Sequence, residues 1–294
     1  MSANTAAVTV PIVNSIGAQS GTRLFLRRNP TLVVGGGMLV FMVLAALAAP
    51  LFAGDPLTMN PINRLKPPSL EFWLGTDHLG RDVFARVVYG ARVSLQVGIA
   101  VAVASVGIGT LIGLIAGYFR RADAVITRAM DGMMAIPAIL LAIALVALTG
   151  ASVGIVILAI VLPEIPRVVR LVRSVVLSVR DAPYVEAARA GGTRLHIILS
   201  RHILPSTLAP LIVQATYICA AAIIVESALS FLGAGVPPET PTWGSMIAQS
   251  RQYLPRAPWT VFAPGVALAF VVLSVNLFGD GLRDWLDPRA AGRG

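Results

Sequence analysis

The sequence predicts an all-α integral membrane protein with six transmembrane helices, and three observations carry that prediction. Of the 294 residues, 56% are hydrophobic and only 13% charged. The mean hydropathy is +0.80. The apolar residues gather into uncharged runs long enough to cross a hydrocarbon core of about 30 Å, and the basic residues, nearly all Arg, stand between those runs. Such a chain is solvated by lipid, so its length says little about soluble domains. The net charge of +9 is spread between the runs rather than gathered in one patch, which argues against nucleic-acid binding. A single cysteine, Cys219, excludes an intrachain disulfide and a thiolate cluster. His78, His196 and His202 are too few and too scattered for a metal site, so no metal is expected.

The elements follow in order. Residues 1–30 form an N-terminal tail whose first 22 residues are small, polar and uncharged, and read as disordered. No charge occurs between Asn29 and Gly54. A cleaved signal has an apolar region of only about 7–15 residues, so 31–52 reads as a retained first span. From 53 to 92 the chain is an extracytoplasmic loop and entry helix. Pro56, Pro61, Pro67 and Pro68 prevent regular structure at its start, an Asx-type turn is expected at Asp77, and a helix capped near Asp82 follows. A five-helix core occupies 93–282. Its first span, Val93 to Phe119, places Gly109, Gly113 and Gly117 at every fourth residue, a small-xxx-small repeat that lets another helix pack closely. The uncharged interval from Gly132 to Pro163 has 32 residues. It would be about 48 Å long as one helix, too long for one crossing. The turn is expected at Thr149 to Ser152, between spans Met133 to Thr149 and Ser152 to Leu171. The fifth span is read as Leu208 to Leu232 and the sixth as Trp259 to Leu282. The segment between them carries Pro237, Pro238, Pro241 and Pro255, with Trp243 and Trp259 suited to the membrane interface. The tail 283–294 mixes Asp284 and Asp287 with Arg283 and Arg289 as a solvated helix end.

With the N-terminus inside, 16 Lys and Arg fall in cytoplasmic segments and 7 outside. The positive-inside rule therefore puts both termini in the cytoplasm of a multi-pass cell-membrane protein.

One cytoplasmic segment, 174–205, stands apart. Asp181 is expected to cap a helix with Pro183 in its first turn, and Gly191 and Gly192 to end it. Thr193 is expected to cap a second helix with Leu195, Ile198 and Leu199 on one face, and Pro205 to stop it. By residue chemistry alone, these are two amphipathic helices that could lie on lipid. The spacing adds a second reading. Glu186-Ala187-Ala188, then Gly192, then His202-Ile203-Leu204-Pro205 resembles the EAA loop of permease subunits in binding-protein-dependent ABC importers. The pattern prefers Ile where His202 stands, and Trp and Ala where Ile165 and Val169 stand upstream. Two further runs, Gly75 to Gly98 and Glu226 to Met246, resemble the C-type permease subunit of dipeptide, oligopeptide and nickel importers.

The resemblance implies a type I ABC importer permease fold. It implies that Tyr184, Glu186, Ala187, Ala188, Gly192, Leu195, Leu204 and Pro205 belong to a loop that couples to an ATPase. The implied partners are a homologous second permease, ABC ATPase subunits or domains, and an extracytoplasmic substrate-binding protein, all within membrane lipid. ATP and Mg2+ would sit on the ATPases. No Gly-rich loop ending in Gly-Lys-Ser/Thr occurs here, and the only lysine is Lys66. The chain is therefore not expected to be an enzyme or to bind a cofactor itself. Its expected cargo is a peptide, with nickel or another solute as the alternative.

Two carboxylates fall near or inside spans. Glu226 reads either as a candidate outer-gate or helix-packing residue or as a carboxylate satisfied at the interface. Glu164, followed by Arg167, Arg170 and Arg173, reads as a surface ion pair. A secondary transporter driven by an ion gradient would need more intramembrane carboxylates than this.

Overall fold

The computed structural model describes residues 29–237 and 239–286. The N-terminal tail expected over 1–30 lies outside them except for its last two residues, as do Pro238, Asp287 and Arg289. Nine helices occur among the described residues, here α1 (Pro30–Phe52), α2 (Val83–Tyr118), α3 (Arg120–Met134), α4 (Ala138–Thr149), α5 (Val153–Val179), α6 (Pro183–Ala190), α7 (Leu195–Phe231), α8 (Trp243–Ser250) and α9 (Trp259–Leu286). Short 3₁₀ turns at Pro61–Asn63 and Arg251–Tyr253 complete the set.

Four of these helices, α1, α2, α7 and α9, are long and apolar enough to cross a membrane, and the bent α3–α4 pair can make a fifth. α5 is long but carries Glu164, Arg167, Arg170 and Arg173 in its middle. Length and composition thus mark four or five crossings where six were expected.

Helix α2 is the axis of the molecule. Its 36 residues extend about 54 Å, and the Asp82 carboxylate caps it by accepting from the Phe84 amide at 2.9 Å. The boundary expected between entry helix and first core span, at 92/93, falls inside this unbroken helix. α5 runs parallel to α2 in register, with Gly109 against Val168, Gly113 against Val172 and Gly117 against Val176. A Cβ at these glycines would lie 2.5, 2.7 and 2.5 Å from the facing valine Cβ, so no larger residue fits. α9 packs on α7 and α1. There too glycine permits the approach: a Cβ on Gly35 would stand 2.4 Å from the Phe278 nitrogen, and one on Gly281 2.4 Å from Leu32 Cα.

The third span, expected over Met133 to Thr149, is not one helix. Pro137 lacks an amide hydrogen and disfavours a helical Ile136, so α3 ends at Met134 and α4 leaves at 81°. α3 is a charged amphipathic helix. It is tied to α5 by Asp123 with Arg173 and by Asp131 with Arg170, the latter at 2.6 Å. α4 ends at Gly150, whose φ of +91° suits glycine, and Ser152 caps α5 through the Ile155 amide at 3.2 Å.

Candidate functional site: the 180–194 loop and the two ends of α2

The expected coupling residues gather on one short helix and the start of the next. In α6, Tyr184, Glu186, Ala187 and Arg189 are exposed while Val185 is fully buried. Val185 joins the core beside Ile198 and Ile203 of α7, so a single apolar residue holds the helix down and leaves the rest of its surface open. Leu195 is exposed as well, whereas Leu204 lies part-buried and Pro205 exposed in the next stretch of α7.

Local chemistry departs from the sequence expectations at three positions. Asp181 does not cap α6: Ala182 is the cap residue, and the Asp181 carboxylate instead accepts from Arg180 Nε at 3.2 Å. Thr193 does not cap the following helix, which begins after Arg194. Pro205 does not stop it. Residues Ile198–Ile203 form a π-helical turn. That wider turn shifts the hydrogen-bond ladder where Pro205 removes a donor, so α7 continues to Phe231. The expected helix end at Gly191 and Gly192 is present, with Gly192 at a φ of +74° and the Thr193 amide bonded to the Ala188 carbonyl at 3.0 Å.

The loop is fastened to α2. Arg180 Nη1 donates to the Gly117 carbonyl at 3.0 Å, and the Arg189 guanidinium lies 5.7 Å from the centre of the Tyr118 ring.

The other end of α2 holds a polar hub that the sequence reading did not find. The Asp77 carboxylate accepts from Arg81 Nε at 2.7 Å and from Arg86 Nη1 at 2.9 Å. Arg81 Nη2 reaches Gln249 of α8 at 3.0 Å. The Asx turn expected at Asp77 is formed, with Oδ1 accepting from the Leu79 and Arg81 amides. Burial pushes the Asp77 carboxyl up, but the Arg81 amide and the Arg81 and Arg86 charges outweigh it and hold it below the usual range. The i, i+4 spacing of Asp77 and Arg81 could have signalled their pairing. Nothing in the sequence marks Arg86, nine residues on.

Glu226 of α7 is fully buried. It accepts from Ser94 Oγ of α2 at 3.3 Å and from Ser230 Oγ at 2.8 Å, with no ion pair among the described residues. Trp243, also fully buried, donates from Nε1 to the Val87 carbonyl at 2.9 Å over Gly90. Glu164 is 7% exposed rather than on the surface, and it pairs with Arg167 at 2.9 Å. No group of three or more metal-ligating side chains occurs among the described residues.

The chain has known relatives. Residues 109–292 match the family described as "Binding-protein-dependent transport system inner membrane component". The chain belongs to that family of membrane permeases. Residues 22–68 of the permease match the "N-terminal TM domain of oligopeptide transport permease C", in keeping with the C-type resemblance. It is 60% identical over 267 residues to the "Probable peptide ABC transporter permease protein y4tQ" of Sinorhizobium fredii, covering 91% of this chain and 92% of that one. It is 47% identical to the dipeptide transport system permease protein DppC of Alkalihalophilus pseudofirmus, covering 90% and 88%. Among solved structures, a chain of the inward-facing MetNI methionine ABC transporter aligns with a TM-score of 0.52 at 21% identity, covering 66% of the permease and 94% of that chain. That likeness shows a type I ABC importer permease fold.

Proposed function

We propose that the permease is the C-type half of the translocation path of an ATP-driven importer for peptides, with both termini in the cytoplasm. Support for peptide cargo comes from the peptide and dipeptide permeases that match about nine-tenths of the chain. The single structural observation that carries the coupling role is α6, a short helix with one fully buried residue and a largely exposed surface, beside the C-terminal end of α2. The 180–195 segment presents Tyr184, Glu186, Ala187 and Leu195 to an ATPase. A second permease completes the path, and a binding protein delivers peptide at the Asp77 end, which faces outward. ATP and Mg2+ act on the ATPases, and closure of the ATPase pair moves α6. α2 and α5 re-seat along their glycine-valine seam, and the path opens outward. Nickel or another solute is the alternative cargo.

The test is to purify the tagged permease in mild detergent, identify the proteins that accompany it and assay ATPase activity. A second permease and an ATPase are expected, with hydrolysis stimulated by a peptide-loaded binding protein. Recovery of the chain alone, transporting in ATP-free liposomes under an ion gradient, would overturn the reading. Within the complex, Gly192→Pro cannot adopt the positive φ of that position. It is expected to abolish peptide uptake or assembly while membrane insertion is unchanged, and full-rate uptake would sink the coupling role.

A further inference from the structure

We infer that the cleft where α5, α7 and α9 part is a binding site for the zwitterionic backbone of a short peptide, Arg283 taking the terminal carboxylate and Asp280 the terminal ammonium. This deepens the importer reading and rests on it. The cleft is a cavity of about 500 Å³. Gln214 and Tyr217 of α7 and Arg283 of α9 supply its polar lining, and Leu171, Val213 and Leu286 its apolar wall. That volume lies within the range of about 300–1,000 Å³ common for small-ligand sites.

The charges at the cleft are free to meet a guest. The Tyr217 hydroxyl donates to Asp280 Oδ1 at 2.5 Å, which fixes the carboxylate at the edge of the cavity. Arg283, three residues on, stands beside the same hydroxyl. Asp280 and Arg283 are both exposed, and neither makes an ion pair among the described residues. Asp284 is exposed too, but it is turned about 100° round the helix and lies off the lining. On α5 the cations flanking Leu171 are already engaged, Arg167 with Glu164, Arg170 with Asp131 and Arg173 with Asp123. α7 carries no charge from Leu204 to Val225. One cation therefore lines the cavity and one anion borders it.

These polar groups argue against a lipid-facing surface. Gln214, Tyr217 and Asp280 fall within the expected spans, where polar side chains turn toward protein or a water-filled cavity rather than hydrocarbon. The Gln214 amide is half-buried and has no hydrogen-bond partner among the described residues, so a donor and an acceptor are left for a guest amide. The spacing selects the guest. Residues three apart on a helix have Cβ atoms about 5–6 Å apart, and each extended peptide residue spans about 3.3–3.6 Å. The two termini of a dipeptide match the step from Asp280 to Arg283, leaving Gln214 for the peptide group between them. The apolar wall offers a guest's side chains no charged contact, so recognition falls on the backbone that all peptides share. A phosphatidylethanolamine headgroup is also a zwitterion, but it has no amide for Gln214. With both termini in the cytoplasm, the Arg283 end of α9 puts the cleft on the side where cargo leaves.

The experiment uses the complete importer in phosphatidylcholine nanodiscs without its binding protein, titrated with alanyl-alanine, its C-terminal amide and its N-acetyl form. In wild type each blocked form is expected to bind at least about tenfold more weakly than the free dipeptide. Arg283→Gln is expected to erase the preference for a free carboxylate and keep that for a free amine, and Asp280→Asn to do the reverse. Arg283→Lys keeps the charge and is expected to retain at least about a threefold carboxylate preference. A merely structural role would weaken all three ligands alike in the variants, and that result would overturn the inference. So would a wild type that binds none of them or all three equally. Phosphatidylethanolamine that co-purifies with wild type, is lost in Arg283→Gln and is not displaced by alanyl-alanine would overturn it in favour of a lipid headgroup. An importer that takes up no peptide with its binding protein present would sink the cargo reading and this inference with it. One that imports alanyl-alanine yet shows no terminal preference defeats the cleft alone.

Discussion

Glu226 and Asp77 are both buried carboxylates, and they are satisfied in opposite ways. Asp77 has two guanidinium partners, whereas Glu226 has two hydroxyl donors and no ion pair among the described residues. Hydrogen bonding rather than charge pairing therefore holds Glu226 between α2 and α7. Glu226→Gln is expected to cost under about 1 kcal/mol, since an amide still engages both serines. Glu226→Leu strands buried hydroxyls and is expected to cost about 1–3 kcal/mol, read as a lowered Tm in detergent. Equal losses in the two variants would point to the charge instead. For Asp77 the sign follows from its depressed pKa. Its contribution to stability is fully present above the ordinary carboxylate value of about 3.9 and is lost only as pH falls through the lower folded value. The stability gap between wild type and Asp77→Asn is accordingly expected to be flat from pH 5 to 8 and to shrink in stronger acid. A gap that closed between pH 7 and 5 would contradict the hub geometry.

The α2–α5 seam is the clearest prediction at the scale of elements. A side chain at Gly113 would collide with Val172 Cβ, so Gly113→Val is expected to destabilise by about 1–3 kcal/mol. Val172→Ala in the same chain is expected to restore much of that loss, a coupling that a double-mutant cycle measures. Additive losses would show that the seam is not tight. The glycine spacing was legible because a four-residue repeat lies on one helix face whatever the tertiary structure. The Asp82 cap and the turn at Gly150 were legible for a similar reason: each is decided by a few neighbouring residues. Proline was not. Pro137 breaks its helix, whereas Pro205 is absorbed by a π turn whose Ile198 and Ile203 are held in the core. Local chemistry says where a helix can break, and tertiary packing decides whether it does. The length of α5 was hidden likewise. A hydropathy run stops near its first charges, yet Arg170 and Arg173 continue the helix because Asp131 and Asp123 of α3 face them.

At the scale of the molecule, α2 joins the Asp77 hub to the 180–195 segment, the two regions that the proposed importer would connect. Asp77 grips Arg86 near its first turn, and Trp243 bonds to its Val87 carbonyl. About 45 Å further along, Arg180 and Arg189 hold Gly117 and Tyr118. Few joints intervene, because the helix has no proline and five of its six glycines are packed against a neighbouring helix, Gly107 alone facing open space. In the proposed importer, a displacement of the Asp77 end would therefore be carried to α6 as movement of one rod. The two basic contacts are the part of that linkage that can be cut without touching the core. Arg180→Ala/Arg189→Ala is expected to leave assembly, docking affinity and basal ATPase activity near wild type, and to reduce stimulation by loaded binding protein at least about tenfold, the size of a coupling free energy of roughly 1.4 kcal/mol. Because coupling of binding energies is reciprocal, the same variant should weaken the effect of bound nucleotide on binding-protein affinity by a similar factor. Stimulation that persisted in full would mean that the signal reaches α6 through α5 and α7 instead, and would remove α2 from the transmission path.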